Sequence, residues 1–401
     1  MSAMSSEFSF LHFGDTHLGR NSPSQISEQR ARSSVQAFEY VIEQAIERDV
    51  DFVVHAGDFF DSPNPWPSVI DSTQEKLDKL EEAGIPMIAT RGNHDRSYGR
   101  GRTLKGITMD IYESELFHVV DPSKPEFPEF REPVDGARVY AVGYHSDQTP
   151  RILDGFQPDA ETFNILLLHD FVEGLTRSFE GKHTSTDILS SLSLDYVAVG
   201  HDHDPQAPFR RQNETVFAAT GGTIDYTFNL SDARKGYNIA HVEDGELKEL
   251  EQNDIPQTLT LEKTQVDAAN ADPDSIKQEV EDALDTNSAA IKVKITGEAD
   301  PTEIPSQTIE ERLEELEHVE MAEVMASTTA DVKAEINRGG FDLLETLDEH
   351  LPEEEKDEFR ALQQKATGLM QSPANLTDSG NLDKSGRQEL RREAEEVLYE
   401  D

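Results

Sequence analysis

The sequence predicts a layered α/β fold, and three observations lead to this prediction. Over the first two-thirds of the chain, apolar runs of strand length alternate with segments whose apolar residues recur at helical spacing. The apolar runs are continuous, which is typical of strands that are covered on both faces. Short polar motifs, most of them beginning with glycine, follow several of these runs. Strands that alternate with helices in this way are typical of layered α/β domains.

The predicted elements of this region follow one another regularly. A helix with apolar residues from Val35 to Ile46 on one face comes after the first strand, and a second helix, Ser72–Ala83, ends at Gly84. The predicted strands are Phe8–Phe13, Asp51–His55, Pro86–Thr90, Arg138–Tyr144, Phe163–Leu168, Tyr196–Val199 and Val216–Ala219.

The composition changes from about Thr258 onwards. Predicted strands at Thr258–Leu261, Ala290–Ile295 and Met321–Met325, together with helices at Ser275–Leu284 and Thr308–Leu316, indicate a small α+β second domain. Beyond Thr329 the chain is acidic and helical, and Gln371–Gly386 has the composition of a flexible linker. We therefore expect three parts, which are residues 1–250, 257–329 and 330–401.

Composition limits the possible classes of site and location. The 401 residues include no cysteine, so neither disulfides nor thiolate metal sites are available and any metal must be bound by His, Asp, Glu or Asn. No apolar run is long enough to span a bilayer. The polar N-terminus resembles no secretory signal. We expect a cytoplasmic protein with no membrane partner.

The chain is strongly acidic, with 81 acidic and 36 basic residues and a net charge of −45. One interpretation is acidic disorder, but the well-formed apolar strand runs argue against it for most of the chain. The interpretation that we favour is a high-salt cytoplasm, as in a halophilic archaeon, where excess surface carboxylate keeps the folded chain soluble. At about 1 M salt the Debye length is only about 3 Å, so the global charge does not exclude nucleic-acid binding.

Five short polar motifs end the predicted strands or follow them directly. They are Gly14-Asp15-Thr16-His17, Gly57-Asp58, Gly92-Asn93-His94-Asp95, His169-Asp170 and Gly200-His201-Asp202-His203. Ligands of α/β sheets bind outside the carboxyl ends of the strands, so these distant motifs are expected to converge on one point. A single Gly-Asp pair is more often an ordinary turn, whereas five such motifs in order indicate a site.

The residue types in these motifs are those of a divalent metal site. Carboxylate, imidazole and amide groups bind borderline ions such as Mn²⁺, Fe²⁺ or Zn²⁺. The seven candidate ligands are Asp15, His17, Asp58, Asn93, His169, His201 and His203. Seven ligands suit two ions about 3.5–4 Å apart that share a bridging carboxylate, and such a pair polarises a phosphate ester. Asp58 is the natural candidate for the bridge. His12, His55, His145 and His183 match no motif and are expected to be structural.

Together the five motifs resemble those of the calcineurin-like metallophosphoesterase superfamily. The Asp-x-His-Leu-Gly form of the first motif, Asp15 to Gly19, is similar to that of the double-strand-break repair nucleases, the Mre-eleven/SbcD family. The resemblance covers about residues 8–225 through the motifs and the whole chain through domain order. It implies a β-sandwich flanked by helices, a small α+β capping domain that binds DNA, and a helical C-terminal tail.

The resemblance also implies a role for each residue of the motifs. One metal would be bound by Asp15, His17, Asp58 and His203, and the other by Asp58, Asn93, His169 and His201. His94 would orient the phosphate or protonate the leaving oxygen, and Asp95 would fix the His94 imidazole. Archaeal and eukaryotic members often carry a histidine three residues after the bridging Asp, whereas this chain has Asp61 at that position. The resemblance therefore does not extend to an extra phosphate contact there.

Members of this family are Mn²⁺-dependent nucleases that trim 3′ ends of DNA and nick single strands. They dimerise and act with a coiled-coil ATPase of the Rad-fifty/SbcC type in double-strand-break repair. The resemblance therefore implies DNA, a second copy of the chain and such an ATPase as partners, and a nucleoid-associated location.

Two further segments carry predictions about partners. The segment from Arg91 to Lys105 is basic in an otherwise acidic chain, and its candidate DNA-phosphate contacts are Arg91, Arg96, Arg100, Arg102 and Lys105. The alternative is an ordinary loop with local salt bridges. Apolar stripes at Phe341–Leu351 and Leu390–Leu398 have helical spacing, and they either pack on their own domain or dock on the ATPase.

Two other functions compete with a DNA nuclease. A phosphatase or nucleotide phosphodiesterase would use the same metal site, but a small substrate needs neither a second domain nor a basic segment. A non-enzymatic scaffold for an ATPase would not require all seven ligands together with His94 and Asp95. We therefore favour a two-metal phosphodiesterase that acts on DNA.

Overall fold

The computed structural model describes residues 7–95, 109, 112, 114–120, 128, 130–145, 148–176, 184–211, 213–267, 272–283, 288–297 and 305–328. The chain divides into two compact units. The first contains residues 1–263, 284–291 and 318–321, and the second contains residues 264–283, 292–317 and 322–401. The predicted tail, residues 330–401, lies outside the described residues.

The first unit is built on two sheets. In chain order its strands are β1 (Glu7–Phe13), β2 (Phe52–His55), β3 (Met87–Ala89), β4 (Phe117–Val119), β5 (Phe130–Arg131), β6 (Ala137–Val142), β7 (Phe163–His169), β8 (Tyr196–Gly200), β9 (Phe209–Arg210), β10 (Val216–Ala219), β11 (Gly236–Glu243) and β12 (Glu246–Asp254). One sheet has the order β12-β11-β1-β2-β3-β4, and the other has the order β5-β6-β7-β8-β10-β9. Strands β1 to β4 run parallel, as do β6, β7, β8 and β10, whereas β11, β12, β5 and β9 are antiparallel to their neighbours.

Helices cover the outer face of each sheet. They are α1 (Ser27–Glu47), α2 (Pro67–Ala83), α3 (Thr149–Ile152) and α4 (Thr186–Ser190). Helix α2 begins at Pro67 and not at the predicted Ser72, because proline in the first turn loses no hydrogen bond and its fixed φ suits a helix. Gly84 ends α2 in the left-handed conformation with φ of 74°, as its position in the sequence predicts.

Apolar side chains fill three layers of this unit. Phe10 and Phe52 from the first sheet pack against Ile165 and Tyr196 from the second, so the two sheets form a sandwich. Outside the first sheet, its apolar residues pack with Phe38 and the rest of the buried face of α1, and outside the second they pack with Ile152 and Leu189. Each fully buried side chain of this size contributes about 1.5–3 kcal/mol. The predicted layered α/β fold, a β-sandwich flanked by helices, is confirmed.

The remaining described elements alternate strand and helix. They are β13 (Leu259–Asp267), α5 (Pro273–Ala283), β14 (Ser288–Gly297), α6 (Ser306–Glu314) and β15 (Val319–Thr328). The three strands form one sheet in the order β13-β14-β15. Each predicted α+β element is present within a few residues of its predicted position, because the apolar spacing changes there from strand-like to helical. The division of the chain into domains at 250, 257 and 329 stays a prediction.

Within the ranges that the structure describes, no helix is long and apolar enough to cross a membrane.

Candidate metal centre

The five motifs lie at the carboxyl ends of β1, β2, β3, β7 and β8. Hydrogen bonds join their turns directly: the Asp15 amide donates to the Gly57 carbonyl at 2.9 Å, and the His17 amide donates to the Asp58 carbonyl at 3.0 Å. Strands from both sheets therefore contribute to one site. Parallel strands place their carboxyl ends at the same edge, as the sequence patterns predict.

Among the residues that the structure describes, three overlapping groups of side chains could each hold a metal ion. Within each group, one ligand atom from every residue lies within 4.8 Å of the others. The groups are Asp15, His17 and His203; His17, Asp58 and His94; and Asp58, His169 and His201. All six predicted His and Asp ligands are among these residues, so the structure brings them together.

Asp58 lies between two of the predicted imidazole ligands. Its Oδ2 atom is 3.6 Å from Nε2 of His17 and 3.3 Å from Nε2 of His169. Its Oδ1 atom accepts a hydrogen bond from the His94 amide at 2.8 Å, which fixes the carboxylate plane. One carboxylate thus faces ligands of both predicted metals, which is the geometry that a bridging ligand needs.

Asn93, the seventh predicted ligand, is beside His169. Its Oδ1 atom is 3.2 Å from Nε2 of His169. The other ring nitrogen of His169, Nδ1, donates to the Ala56 carbonyl at 2.7 Å. Because a carbonyl only accepts, Nδ1 carries a proton, and Nε2, which faces Asn93 and Asp58, is the ring atom that could bind a metal. This backbone contact is the support that metal-binding histidines usually have.

On the other side, Asp15 connects the first motif to the fifth. Both of its carboxylate oxygens accept from the His201 amide, at 3.1 and 3.0 Å. Its Oδ1 atom is 3.7 Å from Nε2 of His203, and the His203 Nε2 atom is 3.1 Å from Nε2 of His17. One carboxylate oxygen and two ring nitrogens, all of which can bind a divalent ion, therefore face one another.

The backbone at the site is unusual. Asp15, His17, Asp58 and His201 have positive φ angles of 49°, 42°, 52° and 92°. In the part of the chain that the structure describes, they are four of the nine non-glycine residues with positive φ. Such conformations cost about 1–3 kcal/mol each and cluster where function requires them. The concentration of strain at four predicted ligands supports a functional role for this edge of the sandwich.

Glycines in the motifs leave the space that the ligands occupy. A Cβ atom on Gly57 would lie 2.4 Å from Nδ1 of His169, and one on Gly92 would lie 2.0 Å from Oδ1 of Asp58. A Cβ atom on Gly200 would lie 2.2 Å from the Ala56 carbonyl that orients His169. The expectation that glycine leaves room for the site is thus borne out at the atomic level for these three positions.

Burial and charge shift the pKa values of the carboxylates in opposite directions. Burial, reinforced by the charge of Asp58, raises the pKa of Asp15 to about 8. Burial also disfavours the charged form of Asp58, but the charge of His169 and a hydrogen bond from it outweigh this and hold the pKa of Asp58 well below its usual range. A divalent cation would stabilise both carboxylates in the charged form.

The histidines at the site differ among themselves in pKa. Burial lowers the pKa of an imidazole, but the charge of Asp58 outweighs burial at His169 and raises its pKa to about 9. At His201 burial dominates and lowers the pKa to about 3, and burial also lowers the pKa of His203 and His17. The imidazoles of His17, His201 and His203 therefore stay neutral, and neutral imidazoles with buried carboxylates and an amide are donors that suit borderline divalent ions.

The predicted contact between Asp95 and the His94 imidazole is wrong. Nδ1 of His94 lies 3.0 Å from the backbone carbonyl of Asp61, so this carbonyl orients the ring. The Asp95 carboxylate accepts instead from the amides of Phe59, Phe60 and Gly92, at 3.0, 2.9 and 2.9 Å. Asp95 therefore ties the turn after β2 to the turn after β3, which holds Asp58 and His94 next to each other.

Three residues that the sequence patterns do not assign as ligands lie around the group of Asp15, His17 and His203. Oδ1 of Asp61 is 3.4 Å from Nδ1 of His17 and 3.0 Å from the Arg20 guanidinium. The Tyr226 ring packs on His17, with ring centroids 4.5 Å apart, and Arg20 lies 4.0 Å above the same ring. Gly221-Gly222, which follows β10 as glycines follow the other strands, is the sequence signal that could have pointed to Tyr226.

The predicted DNA contacts fall mostly outside the described residues. This applies to Arg96, Arg100, Arg102 and Lys105. Arg91 is described, and its carbonyl accepts from the Tyr144 amide at 2.9 Å beside the site. The role of the basic segment stays a prediction.

Two histidines that match no motif are buried beneath the site. Nδ1 of His12 is 3.0 Å from the Tyr196 hydroxyl, and Nε2 of His55 is 3.1 Å from the Thr16 hydroxyl. Burial lowers the pKa of both imidazoles to about 3, so they stay neutral. These contacts fit the structural role expected for the two residues.

Comparison with known proteins relates the site to one family. Residues 8–205 match the family model described as calcineurin-like phosphoesterase. Residues 8–205 are therefore similar to the calcineurin-like phosphoesterases. The matched range includes all seven predicted ligands, from Asp15 to His203. The similarity agrees with a phosphoesterase site in this range, where the candidate metal ligands lie.

Several known proteins are similar to this chain at a modest level of sequence identity. An uncharacterized metallophosphoesterase from Bacillus subtilis, YhaO, is 24% identical over 339 residues, which are 80% of this chain and 80% of that protein. The DNA double-strand break repair protein Mre11 of Methanococcus maripaludis is 29% identical over 219 residues, 53% of this chain and 56% of that protein. The Mre11 of Haloferax volcanii is 26% identical over 309 residues, 75% of this chain and 65% of that protein. The chain thus spans less than two-thirds of the length of these two Mre11 proteins.

Proposed function

We propose that this chain is a Mn²⁺-dependent DNA nuclease, with 3′-to-5′ exonuclease activity on duplex ends and endonuclease activity on single strands. The observation that carries the proposal is the position of Asp58, whose Oδ2 atom faces His17 on one side and His169 on the other. Nothing in a purely structural role requires this convergence of buried carboxylates and imidazoles. Likeness to proteins named for double-strand break repair supports DNA as the substrate.

The residues would divide between two metals. Asp15, His17, Asp58 and His203 would hold one ion, and Asp58, Asn93, His169 and His201 the other. When bound, such a pair polarises the phosphate ester and lowers the pKa of water, which is the chemistry of phosphodiester hydrolysis. The buried Asp15 and the backbone contact of His169 keep the ligand atoms in place before the substrate arrives.

His94 is the group that would act on the leaving oxygen. Its Nδ1 atom is held by the Asp61 carbonyl, so its Nε2 atom points away from that contact and can hold a proton for transfer. The ring is half-buried and adjacent to Asp58, whose Oδ1 atom accepts from the His94 amide. A proton given to the departing oxygen removes the need to expel a bare alkoxide.

The test is cleavage of end-labelled DNA by the full chain, freed of metal and reloaded with Mn²⁺, at low and high salt. A duplex end and a hairpin are the nuclease substrates, and p-nitrophenyl phosphate is the monoester control. Asp58→Asn is the matched variant, because it keeps the shape of the side chain and removes its charge. We expect Mn²⁺-dependent cleavage of both DNA substrates that the variant lacks. Hydrolysis of the monoester without any cleavage of DNA would refute a nuclease.

A phosphatase or nucleotide phosphodiesterase is the second candidate. The observation in its favour is that YhaO, named only as a metallophosphoesterase, matches 80% of this chain. The monoester arm of the same assay and a cyclic nucleotide substrate decide between the two. Rapid turnover of a small substrate by a protein that leaves DNA intact would establish the second candidate.

Partner binding is part of the proposal. We propose that a basic segment at Arg91–Lys105 contacts DNA phosphates, that the chain forms a homodimer, and that the tail after Thr329 docks on a coiled-coil ATPase. Truncation at Thr329 removes no predicted metal ligand, so the shortened chain is expected to cleave DNA but to lose co-purification with the ATPase. Full co-purification of the shortened chain would exclude the tail as the docking segment.

A further inference from the structure

Tyr226 lies where three histidines of the site meet. Its ring centroid is 4.5 Å from that of His17 and 4.4 Å from that of His203. Its hydroxyl is 3.3 Å from Nε2 of His94. The ring therefore packs beside two predicted metal ligands, while its hydroxyl reaches the one imidazole that is expected to act on the substrate.

The hydrogen bonds of His94 define which nitrogen carries the proton. Nδ1 faces the Asp61 carbonyl at 3.0 Å, and a carbonyl has no proton to give, so Nδ1–H is the donor. In the neutral ring, Nε2 is then an acceptor, and the Tyr226 hydroxyl donates to it. The ring is thus held at both nitrogens, and rotation of the imidazole would break both hydrogen bonds.

The segment that carries Tyr226 is itself firmly anchored. The carboxylate of the preceding residue, Asp225, is buried, pairs with Lys235 and accepts from the Leu261 amide at 2.8 Å. The Asp225 carbonyl accepts from the fully buried Arg30. Arg20 also anchors this segment, because its guanidinium donates a hydrogen bond to the Tyr226 carbonyl at 3.3 Å. These contacts fix the position of the Tyr226 ring beside His17 and His203.

We propose that Tyr226 is a positioning residue for His94. When Nε2 is protonated, its N–H faces the Tyr226 oxygen, and a leaving oxygen bound beside that hydroxyl takes this proton without rotation of the ring. The neutral Nε2 that remains then accepts a hydrogen bond from the Tyr226 hydroxyl. This inference rests on the proposed function, in that it assumes a phosphodiester whose leaving oxygen requires a proton. Tyr226 acts through His94, and its hydroxyl contributes to the rate and not to metal binding.

Tyr226→Phe tests the proposal, because it removes one oxygen and keeps the ring that packs on His17 and His203. The matched control is Tyr144→Phe, since the Tyr144 ring lies 5.3 Å from that of His201 on the other side of the centre. We expect Tyr226→Phe to lower kcat on DNA by about three- to tenfold, as the loss of one hydrogen bond predicts, with KM unchanged. Bound metal and melting temperature should match the wild type.

Two further measurements separate a positioning role from a structural one. In a His94→Gln background, Tyr226→Phe should cause no additional loss of kcat, because the group that it aligns is gone. On bis(p-nitrophenyl) phosphate, whose leaving group needs little protonation, the effect of Tyr226→Phe should fall below about twofold. Equal losses with and without His94, or an equal loss in Tyr144→Phe, would overturn the proposal.

Failure of the inference can be told from failure of the proposed function. If the wild type does not cleave DNA, the nuclease proposal is refuted, and the same set of variants is assayed on 2′,3′-cyclic AMP, a phosphodiester with an unactivated leaving group. A loss that depends on His94 there supports the role of Tyr226. A loss that does not depend on His94, or no loss, refutes it.

Discussion

Gly92→Ala is the smallest change that should disable the metal centre. Gly92 is buried directly beside the carboxylate of Asp58, and its amide donates to the Asp95 carboxylate at 2.9 Å. An added Cβ atom would lie 2.0 Å from Oδ1 of Asp58 and 2.3 Å from the Asp58 amide nitrogen. Only one methyl group is introduced, and no predicted ligand is removed.

The size of the expected effect follows from these distances. Real Cβ contacts essentially never fall below 3.0 Å, so Asp58 or the turn that carries Asn93 must move by about 1 Å. A misplacement of about 1 Å at a reacting centre costs about a hundredfold in rate. Because Asp58 faces both groups of ligands, its displacement should also weaken metal binding on both sides.

Gly84→Ala is the matched control. Gly84 has a φ of 74°, and an added Cβ atom there would meet nothing within 4 Å, so the change strains the backbone without a clash. The left-handed conformation costs an alanine about 1–2 kcal/mol. We expect a melting temperature that is a few degrees lower and an unchanged kcat, since Gly84 ends α2 away from the ligands.

The assay measures kcat on a phosphodiester and bound Mn²⁺ for both variants and the wild type. We expect Gly92→Ala to lose about a hundredfold in kcat and to bind less Mn²⁺, and Gly84→Ala to lose neither. A Gly92→Ala protein with wild-type turnover and full metal would show that the close approach to Asp58 is unimportant.

Three other substitutions test individual roles. Asp58→Ala should abolish activity and lower occupancy at both metals, and elemental analysis that still finds two ions per chain would exclude the bridge. His94→Ser should keep both metals and lose about 10²–10⁴-fold in turnover, so near-normal cleavage or a lost ion would remove His94 from the assigned role. Asp61→Asn weakens the contact that supports Nδ1 of His17, and it should reduce metal affinity about 10–100-fold in a titration with Mn²⁺. Unchanged affinity would show that this 3.4 Å contact is incidental.

Sequence patterns predict the centre of the fold better than its edges. The parallel strands β1, β2, β7 and β8 are continuous apolar runs, because both of their faces are covered. The hairpin β11–β12 was not predicted, since β12 is an edge strand composed mainly of charged and polar residues. Its turn did carry a signal: Asp244-Gly245 has φ angles of 54° and 74°, which is the two-residue turn favoured by this dipeptide.

The convergence of the seven candidate ligands is predictable because their signal is local. Each of the seven follows an apolar strand within a few residues, and each belongs to a residue type that binds metals. Arg20 has no such signal, because it meets Tyr226 across 206 residues of sequence, and Tyr226 is marked only by the Gly221-Gly222 pair that precedes it. Which group holds His94 was also not predictable, since the Asp61 contact uses a backbone carbonyl that any residue could supply.

The central claim is that Asp58 is shared by two metal ions. Anomalous diffraction from crystals of the full chain soaked in Mn²⁺ tests it most directly. We predict two Mn²⁺ peaks about 3.5–4 Å apart, both in contact with the Asp58 carboxylate, one beside His17 and the other beside His169. A single peak, or two peaks of which only one contacts Asp58, would contradict the account.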